Sequence, residues 1–261
     1  MRKITNKSFG KKSGQVTMFI IIALVVVAVA SLIYFLYPKI KSGFAFEEET
    51  PEKFLQTCLE ADIKDAVDTL SSQGGSLTPE HYILFNGEKI EYLCYQEEYY
   101  KTCVIQQPLL KRHIEEEIKK NIQNNVKLCF DQLEQTYKDK GYDVNLRRAE
   151  MNVELLPKRI VASSNSTLAL RKGESSQRID TFRVILNNNL YELTAITNSI
   201  LEWEAKYGEA ESTVYMTYYK DLKVEKNKQI DGSTIYVLTD RNTGFRFQFA
   251  SRSVAWPPGY G

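Results

Sequence analysis

The sequence predicts an α+β protein: one N-terminal transmembrane helix, then an extracytoplasmic domain in which antiparallel sheet packs with amphipathic helices. Three observations predict it. From Val16 to Tyr37 the chain carries no charged residue, a run of about 22, and a helix crossing a ~30 Å hydrocarbon core needs about 20. Two later stretches repeat apolar residues at three- and four-residue steps, the mark of helices that bury one face. Around them, Asn-Gly and Asp-Gly pairs lie between β-prone arms, the pattern of tight hairpins.

The apolar run differs from a cleaved secretory signal, whose apolar region is about 7–15 residues long and ends in small residues. Here Tyr34, Phe35 and Tyr37 occupy that end, and aromatic rings suit the membrane–water boundary. Arg2, Lys3, Lys7, Lys11 and Lys12 precede the run, while Lys39 and Lys41 follow it before Glu47, Glu48 and Glu49. The positive-inside rule therefore places the N-terminus in the cytoplasm. The resulting plan is a basic cytoplasmic segment (1–14), a transmembrane helix (15–37) and a linker (38–49). A helix–hairpin–helix region (50–141), a mainly β region with one helix (142–252) and a flexible tail (253–261) follow. Lipid is the expected partner of residues 16–37, and the apolar helix is also the expected contact of any homo-oligomer.

Residues 1–43 hold seven Lys/Arg and no acid, which leaves 27 basic against 33 acidic residues beyond them, a balance of about −6. Nucleic acid is excluded as a partner of that exterior part, because phosphate binding draws on a basic face.

Gly14-Gln15-Val16-Thr17 follows a basic stretch and opens the apolar run. This arrangement resembles the class III signal of archaeal type IV pilins and archaellins, differing at Ser13 and Phe19. The resemblance implies a cut between Gly14 and Gln15. Over nearly the whole chain, "GQVTMFIII", "CLEADIKDA…LSSQGG" and the later helix ending in "KLCF" resemble a family of uncharacterised membrane-anchored ectodomain proteins from small-genome archaea. That likeness implies relatives and no activity.

The first exterior helix starts at Thr50-Pro51, a capping residue followed by proline at the first helical position. Phe54, Leu55, Cys58, Leu59, Ile63, Ala66, Val67 and Leu70 make its stripe, and Gly74-Gly75 ends it. A second helix runs from near Pro108 to Gly141, with Leu110, Ile114, Ile118, Ile122, Val126, Cys129 and Leu133 on one face. Between them "YILFNGEKIEY" is a hairpin about Asn86-Gly87, and a second hairpin with Glu97 to Tyr100 as its loop sets Cys94 opposite Cys103. Facing Cβ atoms lie about 4.5–5.5 Å apart, close enough for a disulfide after modest adjustment. Four cysteines allow three pairings. Cys94–Cys103 within the hairpin, with Cys58–Cys129 across the two helices, is the favoured one in an exterior, oxidising setting. Free buried thiols are the first alternative. A zinc site is the other, although the close Cys pairs that structural zinc usually takes are missing.

From Tyr142 on, the pattern is mainly strand. Val144 and Leu146 alternate, then the phase slips to Ala149, Met151, Val153 and Leu155, which predicts a bulge or break near Arg147-Arg148. A third helix spans about 188–207, with Leu193, Ile196, Ile200, Trp203 and Tyr207 as its stripe and Gly208 closing it. "STVYMTYYKDL" fits helix or strand. Asp231-Gly232 marks another hairpin, and Phe245, Phe247 and Phe249 alternate with Arg246 and Gln248 as a half-buried strand.

No constellation carries chemistry. His81 and His113 fall in different elements, no nucleophile-elbow signature accompanies them, and phosphate-cradling glycine patterns are absent. Glu115-Glu116-Glu117 cannot share one helix face and reads as solubility and dipole compensation. The chain is therefore expected to be no enzyme and to take no metal or cofactor. Asn165-Ser166-Thr167 is a sequon that permits glycosylation at Asn165. Sixteen tyrosines, with pairs at Tyr99-Tyr100 and Tyr218-Tyr219, suit either sticky contact surfaces or half-buried sheet positions. The tail "WPPGYG" reads as a free terminus. Two function classes follow. One is a singly anchored, disulfide-stabilised surface module with a protein partner in the envelope or on neighbouring cells; the other is a pilin-like subunit assembled into a filament after loss of residues 1–14. Pro38 and Gly43 favour the module, which is the reading adopted.

Overall fold

The computed structural model describes Met18, residues 20–29, Ser31 and residues 50–257. The chain divides into two units, Met1–Glu49 and Thr50–Gly261. The processing junction at Gly14 and Gln15, the segment 1–14, the linker 38–49 and the end of the tail lie outside the described residues.

The expected transmembrane helix is corrected. Within the apolar run the helical residues are Met18, residues 20–29 and Ser31. Among the described residues no helix is long and apolar enough to cross a membrane. The α+β content with antiparallel sheets is as the sequence indicates.

In the second unit, helix α1 spans Pro51–Ser72, with Thr50 accepting from Lys53 N at 3.3 Å as its cap. It buries Leu55, Leu59, Ile63, Val67 and Leu70 against helix α2, Leu110–Asp139, whose stripe Ile114, Ile118, Ile122, Val126, Phe130 and Leu133 answers it. Cys58 is bonded to Cys129, joining the two helices across 71 residues of chain.

Strands β1 (Tyr82–Phe85) and β2 (Glu88–Tyr95) turn at Asn86-Gly87, both with positive φ, as a two-residue hairpin turn requires. Strand β3 (Val104–Ile105) sets Cys94 against Ile105 and Tyr95 against Val104, so Cys103 lies just before the strand and not opposite Cys94. The register is two residues out from the expectation, yet Cys94–Cys103 still forms, with Cα atoms 5.4 Å apart. The longer connection, 96–103, is what lets Cys103 reach back.

Six strands then make a bent meander. Strands β4 (Asp143–Arg147) and β5 (Met151–Leu156) together pair with β7 (Thr167–Lys172) and β6 (Arg159–Ser164), which in turn pair with β8 (Ser175–Ile179) and β9 (Phe182–Asn187). These form two three-stranded sheets, β4-β7-β8 and β5-β6-β9. The register changes by one residue from Arg147–Thr167 to Met151–Ser164, which is the phase slip read at Arg147-Arg148. Serine hydroxyls stitch the kink: Ala149 N donates to Ser166 Oγ at 2.9 Å, and Ser164 Oγ donates to Ala149 O at 3.2 Å. Asn165 stands exposed between these buried serines.

Helix α3 (Leu190–Tyr207) and the short helix α4 (Ser212–Tyr218) precede β10 (Leu222–Lys228), β11 (Thr234–Asp240) and β12 (Arg246–Arg252). "STVYMTYYKDL" thus starts as helix and ends as strand. The large sheet runs β1-β2-β12-β11-β10, with β3 beside β2. One pair in it, β2 with β12, is parallel and joins the first hairpin to the last. Phe247 and Phe249 face inward at 0 % exposure. Residues 253–256, read as the start of a flexible tail, are tied down: Val254 N donates to Lys101 O (2.8 Å), Tyr100 N to Ala255 O (3.0 Å), and Trp256 meets Tyr100 edge-on at 5.1 Å.

Two outcomes test this packing. Replacing Cys58 and Cys129 together by alanine lowers unfolding free energy by about 2–5 kcal/mol in a denaturant titration, the range for a long closed loop. A loss under about 1 kcal/mol would show that the helices need no cross-link. Ser166→Ala removes the buried hydroxyl that takes the Ala149 N–H and costs about 1–3 kcal/mol in the same titration, whereas Asn165→Ala, on the exposed side, stays within about 0.5 kcal/mol.

Candidate functional site

The outer face of α3 carries the features that packing does not use. Leu193, Ile196, Ile200 and Leu201 are buried, but Trp203 is 46 % and Tyr207 58 % exposed. Their rings lie 4.7 Å apart. On one side Trp203 joins Tyr215, Tyr218 and Tyr219 around a pocket of about 430 Å³ between α3 and α4. On the other, Tyr207, Ile230 and Trp256 rim a cleft of about 630 Å³ between the end of α3, the β10–β11 hairpin and the C-terminal segment. Trp256 continues to Tyr100. The result is one band of exposed rings, with Tyr218 at 80 % exposure.

A buried carboxylate fixes the elements that carry this band. Glu204 is 2 % exposed. It accepts from the Tyr236 hydroxyl, from Ala210 N at 2.9 Å and from Ser251 Oγ at 2.9 Å. Its backbone carbonyl accepts from Ser253 Oγ at 2.9 Å, and that oxygen accepts in turn from Cys103 N at 3.0 Å. One residue thus ties α3 to β11, β12, the approach to α4 and the disulfide loop. Burial pushes the Glu204 carboxyl above its ordinary value, against the hydrogen bonds from Tyr236, Ala210 and Ser251. Burial and the adjoining Glu204 likewise push the Tyr236 phenol up, so it stays a neutral donor. On the cleft rim Glu209 is held below the usual range, chiefly by its hydrogen bond from Lys226 and then by Lys228. Gly208, with φ +87°, ends α3 so close to the tail that a Cβ there would collide with the Val254 side chain.

Arg252, also buried, holds the loop from the other side. Its Nε donates to Asp231 O at 3.0 Å and its Nη1 to the Gln96 and Glu97 carbonyls, the latter at 2.8 Å, beneath the rings of Tyr95 and Tyr99.

The histidines acquire specific neighbours. His81 packs on Tyr92 and Tyr95 at 4.8 and 4.2 Å. His113 Nε2 lies 2.7 Å from Ser76 Oγ, and Ser76 donates to Glu91, whose carboxyl is pushed up mainly by burial. This Ser–His–Glu contact has the wrong order for a hydrolase, in which the acid holds the histidine's other nitrogen. Here the carboxylate takes the serine proton, and the trio fastens the loop after α1 to β2 and α2. Glu115, Glu116 and Glu117 go to separate partners: Glu115 to Leu155 N (2.7 Å) and Lys111 (2.6 Å), Glu116 to Arg112 (2.9 Å) and Glu117 to Leu77 N (3.0 Å). Among the described residues no group of three or more His, Cys, Asp or Glu side chains could hold a metal ion.

Glu204 escaped the sequence reading, although its position gives a signal. At about 100° per residue it lies roughly 20° around the helix from Leu193, while Trp203 lies about 80° away. The 3.5-residue stripe through Trp203 drifts off the core, and a strict 3.6-residue period would have exchanged the two. Comparison with protein-family models, curated proteins and solved structures finds no match for this chain.

Glu204→Gln tests the carboxyl's state. A folded pKa above the ordinary 4.5 means the native protein binds more protons than the unfolded chain over that window, so this contribution is full below 4.5 and is lost as pH rises. Relative to Glu204→Gln, the wild-type protein therefore loses stability as pH rises above about 4.5, read as the difference in Tm across a pH series. A pH-independent difference would assign Glu204 an unshifted carboxylate.

Proposed function

We propose that residues 50–257 form a non-enzymatic, extracytoplasmic cell-surface module that binds a protein partner through the aromatic band on α3, α4 and the C-terminal segment. The band carries the proposal. Exposed apolar patches of this kind mark interaction sites, and Trp and Tyr dominate binding energy at interfaces because they bury large area at small entropic cost. Two disulfides that tie all four cysteines suit an oxidising, extracytoplasmic setting. The inverted Ser76–His113–Glu91 order supports a binding role over hydrolysis.

Binding of the purified full chain to intact cells that carry it tests the reading. The double variant Trp203→Ala, Tyr218→Ala leaves the fold intact, since both rings are exposed, and lowers cell binding by tenfold or more. Unchanged binding would move the interface elsewhere.

A further inference from the structure

The pocket between α3 and α4 has a composition that selects its occupant. Four rings, Trp203, Tyr215, Tyr218 and Tyr219, surround about 430 Å³, and the charged side chain among its lining residues is the carboxylate of Glu211. Among the described residues no lysine or arginine lines it. Of the cations nearby, Lys206 lies over the Tyr207 ring at 5.0 Å, and Lys226, whose charge also reaches Glu211, is held by Glu209 at 2.8 Å and by Ala210 O. The Tyr215 hydroxyl is fixed by Ser199 at 2.9 Å, and its pKa is pushed up by burial and then by the negative charge of Glu202. Ring faces and carboxylates of one sign make an electronegative, partly apolar cup. Such a cup suits a flat, weakly hydrated cation better than a compact ammonium, because guanidinium stacks on aromatic faces and forks onto a carboxylate.

Resting on the interaction reading above, we propose that this pocket receives an arginine side chain of the partner protein, its guanidinium stacked among Trp203, Tyr215, Tyr218 and Tyr219 and paired with Glu211. The exterior part of the chain carries more acid than base, which complements a basic partner surface.

The test uses the full chain and three small probes: N-acetyl-arginine amide, N-acetyl-lysine amide and N-acetyl-citrulline amide. Citrulline keeps the shape of arginine and removes the charge. The readout is the indole N–H resonance of Trp203, assigned by its loss in Trp203→Leu. The arginine probe shifts it saturably, and the lysine and citrulline probes need at least about tenfold higher concentration. Glu211→Gln weakens the arginine probe about fivefold while keeping the α4 cap, because glutamine retains an oxygen for Thr213 N. Tyr218→Leu, at a site 80 % exposed and so without bearing on folding, weakens it by about the same factor.

Equal binding of citrulline and arginine would overturn the proposal in favour of a neutral occupant, and no saturable shift by arginine would overturn it outright. If cell binding still falls in the Trp203→Ala, Tyr218→Ala variant while arginine fails to bind, the interface stands and only this choice of ligand falls.

Discussion

The burial of α1 on three sides is the constraint from which the rest of the second unit follows. Its apolar stripe packs on α2, on strand β9 of the meander and on strand β12 of the large sheet. Helix α2 covers β4 and β5, α3 lies on β2, β11 and β12, and α1 bridges the two by packing on β9 and β12. The Cys58–Cys129 bond fixes the α1–α2 pairing that supports them, in a chain where the two cysteines are otherwise far apart in sequence. Leu55, Leu59 and Leu70 are fully buried in this packing.

The same helices close the open edges of the meander. The Gln56 amide on α1 pairs with the backbone of Ile185 on β9, accepting from its N–H at 2.8 Å and donating to its carbonyl at 3.0 Å, as a neighbouring strand would. Glu115 on α2 takes the Leu155 N–H of β5 at 2.7 Å. An unpaired edge invites another chain to add to it, and here side chains of two helices occupy ladder positions at both edges of the β5-β6-β9 half. The kink between the two halves follows the same logic. Where the register slips, Ala149 would lose its ladder partners, and Ser164 and Ser166 supply hydroxyls instead.

The elements that periodicity and turn chemistry govern were legible in the sequence. The α1 and α2 stripes, the Asn86-Gly87 turn, the phase slip after Leu146 and the inward Phe247 and Phe249 all follow from local rules. Both disulfides were legible too, although Cys94–Cys103 closes in a register two residues from the one that suggested it. What local rules cannot supply is pairing at long range. The parallel β2–β12 pair joins residues near 92 to residues near 250, with no turn to announce it. The ordering of residues 253–256 depends on that pair, because β12 delivers them beside the 96–103 loop. The transmembrane reading fails on other grounds: absence of charge over about 22 residues measures what lipid would tolerate, while among the described residues no helix is long and apolar enough to cross a membrane.

The placement of the aromatic band argues that its exposure is maintained by the fold rather than left over from it. A helix that buries Leu193, Ile196, Ile200 and Leu201 could have ended its stripe on another apolar residue, yet the position at the centre of the buried face is Glu204. A carboxyl there loses hydration, and its raised pKa records that cost. In return it gathers Ala210, Tyr236, Ser251 and, through its carbonyl, Ser253, which set where α4 starts and where the C-terminal segment lies. An apolar residue at 204 would pack α3 as well but would leave Ala210 N, Tyr236 and Ser251 without their common acceptor, keeping only the backbone carbonyl that takes Ser253. The rotation of α3 that puts Glu204 inward also puts Trp203 and Tyr207 outward. The buried acid and the exposed rings are therefore one arrangement, and a change that relaxes the first will disperse the second.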